Sequence, residues 1–341
     1  MKELYPMKFE PILVEKVWGG TNLNKLPNKS LEGAEKIGES WELSAVQDRI
    51  SIVKNGFLAG NSIQDIIEIY MGNLVGDQVY LKYGIEFPLL FKFIDADDDL
   101  SVQVHPNDEI AKYRHYAYGK TEMWYVVDAK DDARLVMGFN QKMDKQSLLE
   151  SLDKNKITDY LNFENVQKGD VFYIPPGRVH ALLKGITVAE IQQTSDITYR
   201  LYDWNRMGLD GKPRDLHIDL AVDVIDYTSS DSYKIKYSRI PESRNSLVQC
   251  PYFTTNLVEF ENEISFKYDK LDSFVVYMCI DGDFELIADG SEPLKVTKGE
   301  TVLVPAEYEN VTLVPNKNST VLETYIPYVY VEEDEKFFEN N

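Results

Sequence analysis

One motif occurs twice in the sequence, as KGDVFYIP at residues 168–175 and as KGETVLVP at residues 298–305. In each copy a Lys-Gly-acid turn leads into an apolar strand that ends at a proline, which is typical of a hairpin before the last strands of a barrel. The copies lie 130 residues apart, about the size of one domain, so the repeat indicates a duplication. The sequence therefore predicts two β-barrels in tandem.

The rest of the chain agrees with a β architecture. Short runs of Val, Ile, Tyr and Phe are separated by Gly, Pro, Asn and Asp, as in strands joined by turns. Apolar residues recur at helical spacing over residues 62–74, with Asn61 as the N-cap, and over residues 107–115 and 145–161. We therefore expect a mainly β protein in which a few helices are added to the barrels.

The length of 341 residues agrees with about two domains. The polar segment from Asp231 to Arg244 predicts a linker. We therefore expect a first barrel with its helices in residues 1–230 and a second barrel in residues 245–330. Residues 331–341 form an acidic tail, which we expect to be solvated.

Charge and composition exclude several classes of partner. The chain has 36 basic and 57 acidic residues, and its net charge of −21 repels nucleic acid and anionic membranes. It has no apolar run of membrane-spanning length, the N-terminus lacks the features of a signal peptide, and the two cysteines cannot form a disulfide framework. We expect a cytoplasmic protein, and an anionic substrate would need a local cluster of Lys and Arg.

Three predicted strands carry side chains that suit a divalent metal ion. Gln103 and His105 alternate along one strand and so project from the same face. Glu122 starts an apolar strand, where an unpaired carboxylate is costly to bury, and His180 follows a Pro-Gly turn. These ligands suit Zn²⁺, and also Fe²⁺, Mn²⁺ and Co²⁺. We expect the site in the first barrel only, because Asn310 stands at the position of His180 in the second repeat.

Other charged residues lie near these ligands in the sequence. Lys120 precedes Glu122 by two residues and therefore shares its strand face, and Glu190 lies on a later strand. Arg200 follows a Ser-Asp turn, and its planar guanidinium suits phosphate or neighbouring hydroxyl oxygens. Lys92 is a lone charge in an apolar strand. The three cations predict the positive cluster that an anionic substrate requires.

Five motifs follow one another in an order that resembles the type I mannose 6-phosphate isomerases of the cupin superfamily, in their short bacterial form. The motifs are FKFIDA (91–96), LSVQVHP (100–106), GKTEMW (119–124), PPGRVHA (175–181) and SDITYR (195–200), and the resemblance extends from about residue 11 to residue 205. It implies tandem cupin domains, which are jelly-roll β-barrels, one zinc ion per chain, and interconversion of mannose 6-phosphate and fructose 6-phosphate. Residues 201–206 differ from longer members, which leaves the pocket shape open but not the reaction.

The resemblance also implies roles for individual residues. The family's zinc ligands fall on Gln103, His105, Glu122 and His180, and its active-site residues fall on Lys120, Glu190 and Arg200. Isomerisation through a cis-enediol needs a base at carbon, which is Glu190 or Lys120, and stabilisation of oxyanion or phosphate charge, which we assign to Arg200. Trp18, Lys92 and Ser101 are the expected substrate contacts, and Glu42 is a further candidate for the pocket wall. His115 and His217 are expected to be structural, with His217 near the site.

Rival functions remain open at this stage. An Fe²⁺ oxygenase of cupin fold usually has a His-x-His pair, whereas this chain has Gln103 and His105. A non-catalytic sugar-binding cupin would not need Lys120, Glu190 and Arg200 around its metal. An isomerase of an unphosphorylated aldose would keep the chemistry and change the substrate. The sequence does not distinguish a monomer from a homodimer, nor does it give the role of the second barrel.

Overall fold

The computed structural model describes residues 3–26, 29, 36–230 and 232–327. The acidic tail predicted at residues 331–341 lies outside them. Strands dominate and pair antiparallel throughout the described sheets, which confirms the mainly β prediction. The strands up to residue 202 are β1 (Met7–Lys8), β2 (Ile12–Gly20), β3 (Ile37–Leu43), β4 (Ala45–Val46), β5 (Arg49–Ile50), β6 (Leu89–Ala96), β7 (Val102–Val104), β8 (Glu122–Ala129), β9 (Arg134–Phe139), β10 (Leu161–Asn165), β11 (Val171–Ile174), β12 (His180–Leu182), β13 (Ile186–Gln193) and β14 (Tyr199–Tyr202).

The later strands are β15 (Arg244–Gln249), β16 (Thr254–Phe260), β17 (Ile264–Lys267), β18 (Val275–Ala288), β19 (Leu294–Thr297), β20 (Thr301–Val304) and β21 (Asn310–Tyr325). The helices are α1 (Ile63–Tyr70), α2 (Gly72–Val75), α3 (Asp77–Tyr83), α4 (Asp108–His115), α5 (Lys145–Asp153) and α6 (Ile218–Ala221), with 3-10 turns at Asn22–Lys25 and Ile157–Asp159. Among the described residues, no helix reaches the length and apolar character that a membrane crossing requires.

Two of the three predicted helices are shorter than expected. The N-cap of α1 is Ser62 instead of Asn61, because the Ser62 hydroxyl accepts from the Asp65 N–H while the Asp65 carboxylate accepts from the Ser62 N–H. The helix stops at Met71, whose φ of +48° breaks the helical path. Helix α5 ends at Asp153, so residues 157–161 do not continue it. Helix α4 begins after its N-cap Asn107, as predicted.

The first barrel consists of two sheets. The five-stranded sheet has the order β10-β9-β12-β7-β14, and the six-stranded sheet has the order β11-β8-β13-β6-β2-β3. One core cluster joins them, with Trp124 and Val188 from the six-stranded sheet and Leu135, Met137 and Leu182 from the five-stranded sheet. The predicted metal ligands come from both sheets, so their positions depend on this packing.

The second barrel is an eight-stranded sheet that includes the N-terminal strand of the chain. Its order is β1-β20-β18-β21-β16-β15, with β17 on β21 and β19 on β18. In this sheet Met7 pairs with Leu303 and Lys8 pairs with Val302. The predicted bounds place residues 7–8 in the first barrel, whereas in the structure these residues pair with the second.

The two copies of the repeated motif have the same local structure. Gly169 N–H donates to the carbonyl of Val126 and Gly299 N–H donates to that of Cys279, both at 2.8 Å. The acid of each turn accepts from the backbone N–H three residues before it, at 2.9 Å for Asp170 and 2.8 Å for Glu300. The motif therefore forms one turn twice, which is the structural counterpart of the sequence repeat.

The barrels are joined by apolar packing and by a helix cap. The rings of Phe87 and Phe274, one from each half of the chain, lie 4.5 Å apart in a shared core cluster. The Asp272 carboxylate accepts from the N–H groups of Asp77 and Gln78 at 2.7 and 2.9 Å, at the start of α3. The second barrel thus holds the helices that precede the site-bearing strands.

Candidate active site

Three predicted metal ligands converge between the two sheets of the first barrel. His105 follows β7, His180 begins β12, and Glu122 begins β8. Their donor atoms all lie within 4.8 Å of one another. His180 Nε2 is 3.1 Å from Glu122 Oε1, and His105 Nε2 is 3.5 Å from Glu122 Oε2. All three side chains are buried.

Backbone carbonyls set the tautomer of both histidines. The Nδ1 atoms of His105 and His180 lie 2.8 Å from the carbonyl oxygens of Ile197 and Arg178. A carbonyl only accepts, so each Nδ1 carries the proton and each Nε2 presents a lone pair to the centre of the cluster. This is the arrangement that a metal-binding imidazole requires.

The donor atoms of this cluster have no hydrogen-bond partners. The Nε2 atoms of His105 and His180 and both oxygens of Glu122 are buried without one. Leaving one such atom unsatisfied costs about 1–3 kcal/mol, so the cluster fits a metal ion. Burial and the nearby Lys120 hold the pKa of His105 well below its usual value, which keeps the imidazole neutral. Burial raises the pKa of Glu122, but the nearby Lys120 ammonium lowers it, and the net shift is well below the usual value, so the carboxyl is ionised.

Gln103 is placed to join this cluster. It lies on β7 directly opposite His180 of β12, and opposite Arg200 of β14 on its other side. Directly paired residues of antiparallel strands project from the same face. The half-buried Gln103 side chain lines the cavity beside the histidines. Its role as the fourth ligand remains a prediction.

A cavity beside the cluster brings together the other predicted residues. Its wall includes Trp18, Lys92, Ser101, Gln103, Lys120, Glu190 and Arg200. Lys120 Nζ lies 3.3 Å from Glu122 Oε2, so this ammonium group lies next to the metal ligands. The structure thus places the predicted catalytic and substrate-binding residues around one space.

Glu190 is held by two neighbours on adjacent strands. Its Oε2 accepts from Trp124 Nε1 at 2.7 Å, and its Oε1 lies 3.0 Å from Lys92 Nζ. Lys92 also donates to Gln192 at 2.9 Å and lies 3.9 Å from Glu39. Burial lowers the pKa of Lys92, but Glu190 and Glu39 raise it above its usual value. Lys92 is therefore an inward-facing partner of two carboxylates, and its role as a substrate contact remains a prediction.

Arg200 keeps part of its guanidinium available to the cavity. Its Nη1 donates to the carbonyl of Asp215 at 2.7 Å, while its buried Nε has no hydrogen-bond partner. Burial and the neighbouring Arg214 lower its pKa. His217 Nδ1 accepts from the Arg200 backbone N–H at 3.2 Å, which places His217 next to the site. His115 instead lies 2.7 Å from the Tyr199 hydroxyl.

The cavity also contains residues that sequence reasoning missed. Glu39 and Trp41 of β3 line it, whereas Glu42 projects from the opposite face and lies 2.6 Å from Lys29. The alternation along β3 was the available signal, since residues 39 and 41 share a face that residue 42 does not. Arg214, from the loop after β14, also lines the cavity, and no periodic pattern marks it.

Comparison with known proteins identifies the family and the relatives of this chain. Residues 7–140 match the family described as phosphomannose isomerase type I, catalytic domain, and residues 243–319 match mannose-6-phosphate isomerase, cupin domain. The chain is 35% identical over 306 residues to the mannose-6-phosphate isomerase ManA of Bacillus subtilis, covering 88% of this chain and 93% of that relative.

Solved structures show the same fold. The crystal structure of the mannose 6-phosphate isomerase from Bacillus subtilis has a TM-score of 0.84 at 31% identity, covering 94% of this chain and 99% of that chain. A zinc-bound mannose 6-phosphate isomerase has a TM-score of 0.76 at 17% identity, covering 95% of this chain and 100% of that chain. The predicted tandem cupin fold is confirmed, and the chain belongs to the type I phosphomannose isomerase family.

Proposed function

We propose that the protein is a zinc-dependent aldose-ketose isomerase that interconverts mannose 6-phosphate and fructose 6-phosphate through a cis-enediol. The observation that carries this proposal is the set of buried donor atoms without hydrogen bonds, beside Lys120 and Glu190 in one cavity. The names of the relatives support the substrate, and the zinc-bound neighbour supports the metal. Cytoplasmic location is part of the same proposal.

His105, Glu122 and His180 would hold the zinc ion, with Gln103 as the fourth ligand. Two imidazoles, a carboxylate and an amide oxygen provide one negative charge, which leaves a bound Zn²⁺ with net positive charge. A bound zinc ion would supply Lewis-acid stabilisation for negative charge on the sugar oxygens.

Glu190 is the base at carbon in this proposal. Its Oε1 lies 3.0 Å from Lys92 Nζ and its side chain lies in the cavity wall, so this carboxylate can accept a proton from C2 of the aldose at Oε1. As the electron pair of that C–H bond forms the C1–C2 double bond, the carbonyl oxygen takes up a proton and the cis-enediol results. Glu190 then gives its proton to C1, while the C2 hydroxyl gives its proton to Lys120, which its donation to the C1 oxygen has left neutral. The electron pair of that O–H bond forms the C2 carbonyl, and the ketose results.

Lys120 is the proton donor to oxygen. Its ammonium lies 3.3 Å from the Glu122 carboxylate, which favours the donor role over that of a base. Trp18 and Ser101 form the wall along which the sugar lies, and Arg200 stabilises negative charge of the substrate.

The test combines metal analysis with an isomerase assay on one preparation. We expect about one zinc per chain, conversion of mannose 6-phosphate to fructose 6-phosphate, loss of activity on chelation, and recovery with added zinc. In D₂O, proton transfer through the enediol introduces solvent deuterium at C1 of the ketose. Bound metal without conversion would contradict the proposal. Conversion without deuterium at C1 would show that the proton moved from C2 to C1 does not exchange with solvent.

A further inference from the structure

A hexose 6-phosphate brings a doubly charged anion, and most cations of the cavity already have anionic partners. Lys16, Lys92, Lys120 and Arg214 each have a carboxylate oxygen within 3.3 Å. Contact with phosphate at any of them would compete with an existing ion pair. Arg200 is different, because its hydrogen bond goes to the backbone carbonyl of Asp215 and its Nε is unpaired.

The cavity continues past Arg200 into a second compartment of about 510 Å³. The two spaces share Lys16, Trp41, Asp196, Thr198 and Arg200 in their walls. The outer wall of the second compartment is the hairpin of β4 and β5, which contributes residues 46–49. The hairpin thus lines the compartment that adjoins the active-site cavity.

Arg49 of this hairpin is, like Arg200, a cation of the cavity without a carboxylate partner among the described residues. Its guanidinium lies over the Trp41 ring, with Cζ 4.9 Å from the ring centroid, and no carboxylate within the described residues lies within ion-pair distance. Stacking on an aromatic face fixes the plane of a guanidinium while its N–H groups remain free at the edge. The Trp41 indole is itself held, because its Nε1 donates to Glu39 at 2.6 Å.

The spacing of the strands suits a substrate that spans from Glu190 to this arginine. Glu190 pairs with Lys92, and Lys92 pairs with Trp41 on the next strand. Two inter-strand steps place the backbone of Trp41 about 10 Å from that of Glu190. This is comparable with the length of an extended hexose phosphate whose C1 and C2 lie near Glu190.

We propose that Arg49, together with Arg200, binds the phosphate group of the substrate, and that Arg49 thereby sets the preference for phosphorylated over free aldoses. This inference rests on the proposed isomerase function. Asp48 and Asp196 also line the compartment, and their negative charges disfavour an anion there. A dianion is therefore held only where it contacts the arginines directly. A guanidinium provides such contact through paired N–H groups.

The test compares Arg49→Ala and Arg49→Lys with a matched control, Arg134→Ala. Arg134 of β9 also stacks on an aromatic ring, with Cζ 5.0 Å from the Phe163 centroid, but it does not line the cavity. For Arg49→Ala we expect a KM for mannose 6-phosphate that is roughly 10- to 100-fold higher, with kcat changed far less. Arg49→Lys should recover part of the loss, and Arg134→Ala should match the unsubstituted protein.

Calorimetric titration with inorganic phosphate separates this inference from the proposed reaction. If the unsubstituted protein does not isomerise mannose 6-phosphate, the proposed function fails, but the titration still measures the anion site. Weaker phosphate binding in Arg49→Ala than in Arg134→Ala supports the site. Equal phosphate binding in the two variants, or a loss confined to kcat, would overturn it.

Discussion

Glu122 and Val275 occupy the same place in the two barrels. Glu122 pairs with Ile174 in the first copy of the repeated motif, and Val275 pairs with Val304 at the matching residue of the second copy. An apolar side chain therefore stands in place of the carboxylate that we propose as a metal ligand, just as Asn310 stands in place of His180. The second barrel lacks two of the ligand types that the first barrel provides.

This difference predicts the metal content of the protein. We expect about one zinc per chain, and close to none in Glu122→Ala, because the remaining ligands lose their only anion. Elemental analysis after gel filtration measures this directly. Glu150→Gln, on the exposed surface of α5, is the control and should retain zinc. Two zinc ions per chain, or full retention by Glu122→Ala, would contradict the assignment.

Replacement of the proposed base should remove activity but not metal. In Glu190→Gln the carboxylate is lost while the shape is kept, and we expect kcat to fall by about 100-fold or more. Zinc content should remain unchanged, since Glu190 is not a ligand. Steady-state kinetics and metal analysis on one sample test this. A kcat within a few-fold of the unsubstituted protein would leave Lys120 as the base.

The second barrel has a buried acid in the position of Glu190, where it serves stability. Glu323 pairs with Tyr277 in the second barrel as Glu190 pairs with Trp124 in the first. Unlike Glu190, Glu323 accepts hydrogen bonds from Arg244 and Asn256, each at 2.8 Å. Arg244→Ala leaves this carboxylate buried without a cation.

We expect Arg244→Ala to lower the free energy of unfolding by about 3 kcal/mol. Urea denaturation followed by fluorescence measures the loss. The zinc content and kcat of the folded fraction should stay close to those of the unsubstituted protein, and a fall in kcat at full stability would indicate a role beyond packing.

Glu39 should make stability depend on pH in the acidic range. Burial raises its pKa, but Lys16, Lys92 and the Trp41 N–H outweigh burial and lower the pKa from 4.5 to about 2. The unfolded chain then binds the proton first, so this contribution is present above pH 4.5 and is lost as the pH falls towards 2. Its size is about 3 kcal/mol.

The measurement is the free energy of unfolding between pH 6 and pH 2.5 for the unsubstituted protein and Glu39→Gln. The difference between the two proteins should shrink as the pH falls, because only the unsubstituted protein loses the ionised pair. A constant difference across this range would show that Glu39 does not titrate as described.

Local patterns were sufficient to predict the metal cluster. The alternation of Gln103 and His105, the charge of Glu122 at the start of an apolar strand, and the turn before His180 are all visible within a few residues. The tandem barrels followed from the repeated turn, whose backbone hydrogen bonds recur in both copies. These features depend on strand periodicity and turn chemistry, which are determined by neighbouring residues and can therefore be predicted from one sequence.

Features that depend on strand neighbours were not predictable in this way. Lys92 is paired because β6 lies between β3 and β13, which sets it opposite Glu190, and one sequence does not give that strand order. Arg49 and Arg214 come from a two-residue strand and a loop, where no periodicity points to a face. Lys92, Lys120 and Arg200 could therefore be predicted as cations of the cavity, whereas the positions of Arg49 and Arg214 depend on the assembled fold.

Because Met7 pairs with Leu303, the N-terminal strand β1 can be buried only after β20 has been synthesised. The N–H of Leu4 donates to Glu307, which is 303 residues away in the sequence. At about 5–20 residues per second, a ribosome needs roughly 15–60 s to make that partner. Leu4 and Met7 are both buried in the folded protein. During that time their apolar side chains lack the partners that cover them in the finished chain. A chain that lacks β20 would leave Met7 without its partner strand, and the side chains of Leu4 and Met7 would lose part of their apolar contacts.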